Sequence, residues 1–239
     1  MPDMSISSRR CETGCCHYAL GIIASNCTPS GEPAPGSAAW NPPAVCEGQL
    51  PTVPQLCGSV KYQEFSETTI AFNDRKMNEC PGRMVHTLTL PRRQVCGEED
   101  PDRRSAAADI FETAWRIGVR LIARPDDAAL VLNSRAQRSQ NQLHVHTVKL
   151  KPGARAEIEA LAVKPKPIED LRETWDAAER HASESGFGDV YGTIVIQYPG
   201  RGWLVATVDG SPRKDPQTGD DLNSPERRFT CWSCSVCSD

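Results

Sequence analysis

The chain has 239 residues, enough for one domain with appendages or two small ones. Hydrophobic residues make up 38% of it, short of the ~45–50% usual for globular proteins. The net charge of −4 excludes a field that would steer the whole molecule to nucleic acid. The apolar run from Ala19 to Ala24 is far below the ~20 residues of a membrane span and reads as a buried segment.

In chain order, residues 28–58 are crowded with Pro, Gly and Ser, which excludes a helix or central strand and leaves a surface wrap. Val60 to Phe72 alternates weakly and predicts a strand or two. Met84 to Leu90 alternates well and ends at Pro91, a strand. Asp100-Pro101 opens a helix whose Ala107, Ile110, Phe111, Ala114, Ile117 and Leu121 recur at helical steps. Trp115 on that helix belongs to the core. Ala128 to Leu132 is a short buried strand, residues 133–142 a polar loop, and Leu143 to Leu150 a second strand. Residues 154–185 read as helical and charged, broken at Pro165 and Pro167. Val190 to Ile196 and Trp203 to Val208 form a hairpin about Tyr198-Pro-Gly-Arg-Gly202. Beyond Gly210 the chain is polar and irregular. The sum is an α+β fold, an antiparallel sheet with packed helices. Its catalytic domain spans 59–210, with a Cys/Pro-rich extension over 1–58 and a Cys-rich tail over 211–239.

The eleven cysteines all lie in the flanks, none between 97 and 230. Cysteines placed where little apolar surface can be buried read as disulfide staples, which favours an extracytoplasmic or secreted protein; reduced cysteines would make it cytoplasmic. Cys231, Cys234 and Cys237 leave a zinc or iron–sulfur centre open as an alternative.

Chemistry concentrates between Asn133 and His146. Strand alternation puts His144 and His146 on one face with Val148, and Leu143, Val145 and Thr147 on the other. The loop before them offers Asn133, Ser134, Arg135, Arg138, Ser139, Gln140 and Gln142. Two guanidinium groups with amides and hydroxyls suit phosphate oxygens. Lys149 follows on the same strand as a further phosphate contact. His86, His17 and His181 read as structural or surface residues.

The stretch from Asn133 to His146, Asn-Ser-Arg-Ala-Gln-Arg-Ser-Gln-Asn-Gln-Leu-His-Val-His, resembles the signature of the CDP-diacylglycerol pyrophosphatase family, part of the wider histidine-triad (HIT-like) superfamily. The resemblance spans roughly residues 60–210. It implies a HIT-like fold and hydrolysis of a pyrophosphate bond in a small-molecule or lipid-linked nucleotide, with no metal or other cofactor and possible peripheral contact with a membrane. It also implies roles. Asn133 ends one strand, Gln140 follows, and the histidines alternate on the next strand. In that register His146 is the nucleophile and His144 its proton-handling neighbour; a shifted register would exchange them. Val148 stands where a third histidine of the triad would. Two other readings stay open: a relative that uses the His pair for acid–base chemistry on a small metabolite, and a Cys-stapled binding module with a dead site.

Overall fold

The computed structural model describes residues 62–65, 68–74, 77, 84–91, 95, 97–137, 143–217 and 221–237. The predicted extension over 1–58, every cysteine before 97, His17, and Arg138, Ser139, Gln140 and Gln142 lie outside them. Among the described residues one eight-stranded sheet organises the chain. Its strands are β1 (Tyr62–Phe65), β2 (Thr69–Asn73), β3 (His86–Pro91), β4 (Ala128–Leu132), β5 (Val145–Lys149), β6 (Lys166–Ile168), β7 (Tyr191–Gln197) and β8 (Trp203–Asp209). They run in the order β1-β2-β3-β5-β4-β7-β8-β6, and every pairing is antiparallel. With its helices this is the α+β architecture expected.

Each face of the sheet carries a core. On the first lie α1 (Arg103–Ala106), α2 (Ile110–Leu121) and α4 (Thr174–Ser185). Ile110, Phe111 and Ala114 of α2 and Trp175 and Ala178 of α4 meet Leu130, Val145, Val195 and Val205 from the strands. Trp115 packs edge-on against Trp203, with ring centroids 5.9 Å apart, a core role as predicted. On the second face α3 (Ala154–Glu159) and α5 (Pro225–Phe229) cover Val131, Val148, Ile194 and Ala206, with Phe229 and Ile158 fully buried among them. Every residue of β4 is buried because it is clamped between these layers.

Three segments differ from the sequence reading, each for a local reason. The helix expected from residue 101 breaks after Ala106, where Ala107 leaves helical geometry (φ −135°) before α2 restarts. The stretch around Pro165 and Pro167 holds a strand, β6. Proline is tolerated there because β6 pairs only with β8, at the sheet edge. The polar tail contains a helix, α5. Its start carries an N-terminal signature: Ser224 accepts a hydrogen bond from the Arg227 amide and Pro225 occupies the first turn.

His181, expected to be structural or at the surface, is fully buried between α4 and β8. The Thr207 amide donates to its Nδ1 at 3.2 Å, so its proton sits on Nε2 and goes to the Val163 carbonyl, 3.1 Å away. Burial, the largest cause, lowers its pKa, so the folded protein holds it neutral. The unfolded chain therefore binds the extra proton first. Stability from this residue is complete above about pH 6.5 and is lost as pH falls below it toward the folded pKa. Melting curves should show the wild type losing more Tm than His181→Gln between pH 7 and 5.5; parallel slopes would contradict this.

Candidate active site

Strand β5 fixes the centre of the site. Its first face is spent on packing, where Thr147 Oγ1 donates to the Ala114 carbonyl of α2 at 3.2 Å. The opposite face presents His146 and, just before the strand begins, His144, with ring centroids 4.8 Å apart. Both imidazoles are buried.

A third imidazole joins them from the neighbouring strand. In the β3–β5 ladder His86 lies opposite Val148 and Leu88 opposite His146. Residues opposed across a ladder share a face. A third ring thus reaches the histidine face from the cross-strand partner of Val148. His86 Nε2 stands 2.7 Å from His146 Nδ1. His86 is fully buried. The sequence reading had taken it for a structural histidine, because the alternation of β3 says nothing of what the adjacent strand carries.

The other ring nitrogen of His146 faces Asn133, at the end of β4. Asn133 Nδ2 is 3.5 Å from His146 Nε2, and the same amide donates to Glu226 Oε2 at 2.7 Å. Ser224 Oγ donates to Asn133 Oδ1 at 2.9 Å. With the Glu226 carboxylate, which only accepts, that bond sets which end of the amide points inward. Glu226 sits between two rings, its Oε1 3.6 Å from His86 Nε2 and its Oε2 3.8 Å from His146 Nε2. Asp74, just past β2, approaches His86 Nε2 from the other side at 3.8 Å. Asn133, three imidazoles and two carboxylates therefore meet in one largely buried group drawn from β3, β5 and α5 and from the ends of β2 and β4.

Three other predicted residues among those described, Ser134, Arg135 and Lys149, are placed differently. Ser134 is fully buried and donates to the Gly210 carbonyl at 2.9 Å, so its hydroxyl holds the chain after β8 in place. Arg135 reaches Asp189 at 4.0 Å. Asp189 belongs to a cleft of about 290 Å³ on the first face, lined also by Glu98, Glu99, Arg103, Glu179 and Tyr191. Four carboxylates against one lining arginine would repel a phosphate. Lys149 is a correction. Alternation along β5 puts it with Val145 and Thr147, on the face away from the histidines.

Glu226 and Ser224 had no place in the sequence reading, although Ser-Pro-Glu is a helix-start pattern that could have been read. Their position depends on close backbone packing. A Cβ on Gly192 of β7 would lie 2.7 Å from Pro225 Cδ and 3.3 Å from the Leu132 carbonyl oxygen. Gly192→Ala should therefore displace α5, cost about 1–3 kcal/mol in denaturant unfolding, and lower activity more than stability explains. A variant with wild-type activity at full folding would show that α5 need not sit this close.

The tail that carries α5 is tied to β5. Cys231 N donates to the Lys149 carbonyl at 2.8 Å, Lys151 N donates to the Phe229 carbonyl at 2.9 Å, and Cys231 is disulfide-bonded to Cys237. Cys234 is also in a disulfide, so these three cysteines act as staples and not as ligands of a metal centre. Among the described residues no helix is long and apolar enough to cross a membrane.

No curated protein matches the chain. A solved structure, described as the crystal structure of SMU.412c from Streptococcus mutans UA159, aligns over 50% of this chain and 72% of that one, at 21% identity and a TM-score of 0.33. The family model described as CDP-diacylglycerol pyrophosphatase matches residues 46–181.

Proposed function

Because the chain belongs to the CDP-diacylglycerol pyrophosphatase family, we propose that it hydrolyses the pyrophosphate bond of a CDP-diacylglycerol-like substrate through a covalent intermediate on His146. Membership supports a hydrolase acting on a lipid-linked nucleotide. The observation that carries the nucleophile is the fixed orientation of His146, held at both ring nitrogens.

With the Asn133 amide oriented by Ser224, its N–H faces His146 Nε2. A donor there calls for a lone pair on Nε2 and puts the ring proton on Nδ1, shared with His86 Nε2 at 2.7 Å. The Asn133 contact is long, at 3.5 Å, so a substrate phosphorus displaces it and takes the Nε2 lone pair of a neutral imidazole, a competent nucleophile near neutral pH. Nε2 attacks the nucleotide's α-phosphorus, the P–O bond to the bridging oxygen breaks, and phosphatidate leaves as a phosphate monoester. The new imidazolium carries its charge beside Glu226 and can pass its Nδ1 proton to His86. Water then attacks the same phosphorus, the P–N bond breaks, the water's proton is taken up by the His pair, and CMP is released. His144 acts as the neighbouring proton-handling group. No step calls on a metal.

The Cys231–Cys237 disulfide supports placing the protein in an oxidising, extracytoplasmic compartment. The run of proton-carrying groups from Asp74 to Glu226 also fits acid–base chemistry on a small metabolite, the runner-up. One experiment separates them. The protein is incubated with CDP-diacylglycerol in mixed micelles and with soluble nucleoside diphosphate esters, and released CMP is measured. Rapid quench with label in the nucleotidyl phosphorus should trap an acid-labile label on the protein. Retention of configuration at phosphorus is expected for two displacements; no CMP release, or inversion, would sink the reading.

A further inference from the structure

The buried group holds more than a nucleophile needs. Two imidazoles and two carboxylates converge on the His86–His146 contact. Asp74, His86 and His146 each offer one donor atom, all within 4.8 Å of one another. Glu226 Oε1 adds a fourth donor 3.6 Å from His86 Nε2. A tetrahedral ion with bonds of ~2.0–2.1 Å spaces its donors about 3.3 Å apart. The separations around His86 Nε2 bracket that value: 2.7 Å to His146 Nδ1, 3.6 Å to Glu226 and 3.8 Å to Asp74. Modest side-chain shifts would bring the donors of Asp74, His86 and His146 to one ion, with Glu226 beside His86 as a fourth.

We propose that Asp74, His86, His146 and Glu226 bind a divalent transition-metal ion, and that this ion competes with substrate chemistry for His146. Two carboxylates neutralise a dication, and two imidazoles select zinc-like ions over magnesium or calcium, which prefer all-oxygen sets. The donors come from β2's end, β3, β5 and α5, so the site needs the folded sheet with its tail in place. On binding, the ion takes the position of the hydrogen shared by the two imidazoles, and that hydrogen moves to His146 Nε2, because a neutral imidazole coordinated through Nδ1 carries its proton on the other nitrogen. With Nε2 protonated beside Glu226 Oε2, the ring has no lone pair with which to attack phosphorus. This antagonism rests on the reading of His146 as nucleophile; the binding itself does not.

The test uses the full chain, disulfides intact, stripped with chelator and titrated with Co²⁺ as a visible probe. One equivalent should bind, with visible d–d absorption and no thiolate-to-cobalt charge-transfer band. Asp74→Asn and His86→Gln, checked for folding by circular dichroism, should weaken binding by about 10–100-fold or more, while His144→Ala keeps it. A thiolate band, no binding, or equal binding by both ligand variants would overturn the site. Zn²⁺ should inhibit CMP release over the concentrations at which it displaces Co²⁺; faster turnover with Zn²⁺ would overturn the antagonism. Failure of the nucleophile reading shows separately, as no labelled intermediate in the chelator-treated protein whatever the cobalt result.

Discussion

His146→Ala should lower kcat/KM for CMP release by about four orders of magnitude or more, as expected when a covalent nucleophile is removed. His144→Ala should cost only about 10²–10³-fold, a figure in keeping with loss of a proton-transfer group. The asymmetry follows from how the two rings are held. Asn133 and His86 address opposite nitrogens of His146, which fixes its tautomer and its plane. His144 sits at the mouth of β5, where the strand has just begun. The decisive measurement is the trapped label, present in His144→Ala and absent in His146→Ala. The reverse pattern would mean that the shifted register is the working one.

Glu226→Ala should reduce kcat by about 10²–10³-fold with little change in KM, in the range found when one preorganised charge-stabilising group is lost. It should also destabilise the fold by about 1–3 kcal/mol, because the buried Asn133 amide loses its 2.7 Å acceptor. Glu226→Gln separates these effects. Its amide oxygen can still accept from Asn133, so Tm should recover most of the loss while kcat stays low. Full recovery of kcat in Glu226→Gln would show that the negative charge does nothing for the imidazolium. Glu226 lies beyond the family-matched segment, residues 46–181.

The contrast between His146 and Glu226 also marks what the sequence made legible. Alternation alone assigned the faces of β5, and the hairpin of β7 and β8 was plain from Tyr198-Pro-Gly-Arg-Gly202 between two apolar runs. Asn133 could be placed at a strand end by the short apolar run before it. His86 could not be joined to His146, because which residue of β3 faces which of β5 is a register, settled by packing of the whole sheet. Lys149 was legible and misread: the period-two rule that paired the histidines also sends Lys149 to the other face. Glu226 stayed hidden because its helix is too short to show an apolar period and only its capping residues announce it. The polar loop over 133–142 reads as the phosphate cradle; residues 138–142 lie outside the described ones, while Ser134 holds the chain after β8.

The strand order has a kinetic consequence. The two bonds that orient His146 and Asn133 join residues 60 and 93 positions apart along the chain. Contacts this distant form only after the loops between them have closed, and such pairings slow folding. The hairpin of β7 and β8 and the helices α2 and α4 can form from nearby residues. In refolding with the disulfides intact, the far-ultraviolet circular dichroism should therefore recover first and turnover only later, with a population between them that has native backbone signal and no catalysis. Coincident recovery of both signals would argue that the sheet and its site form in a single step.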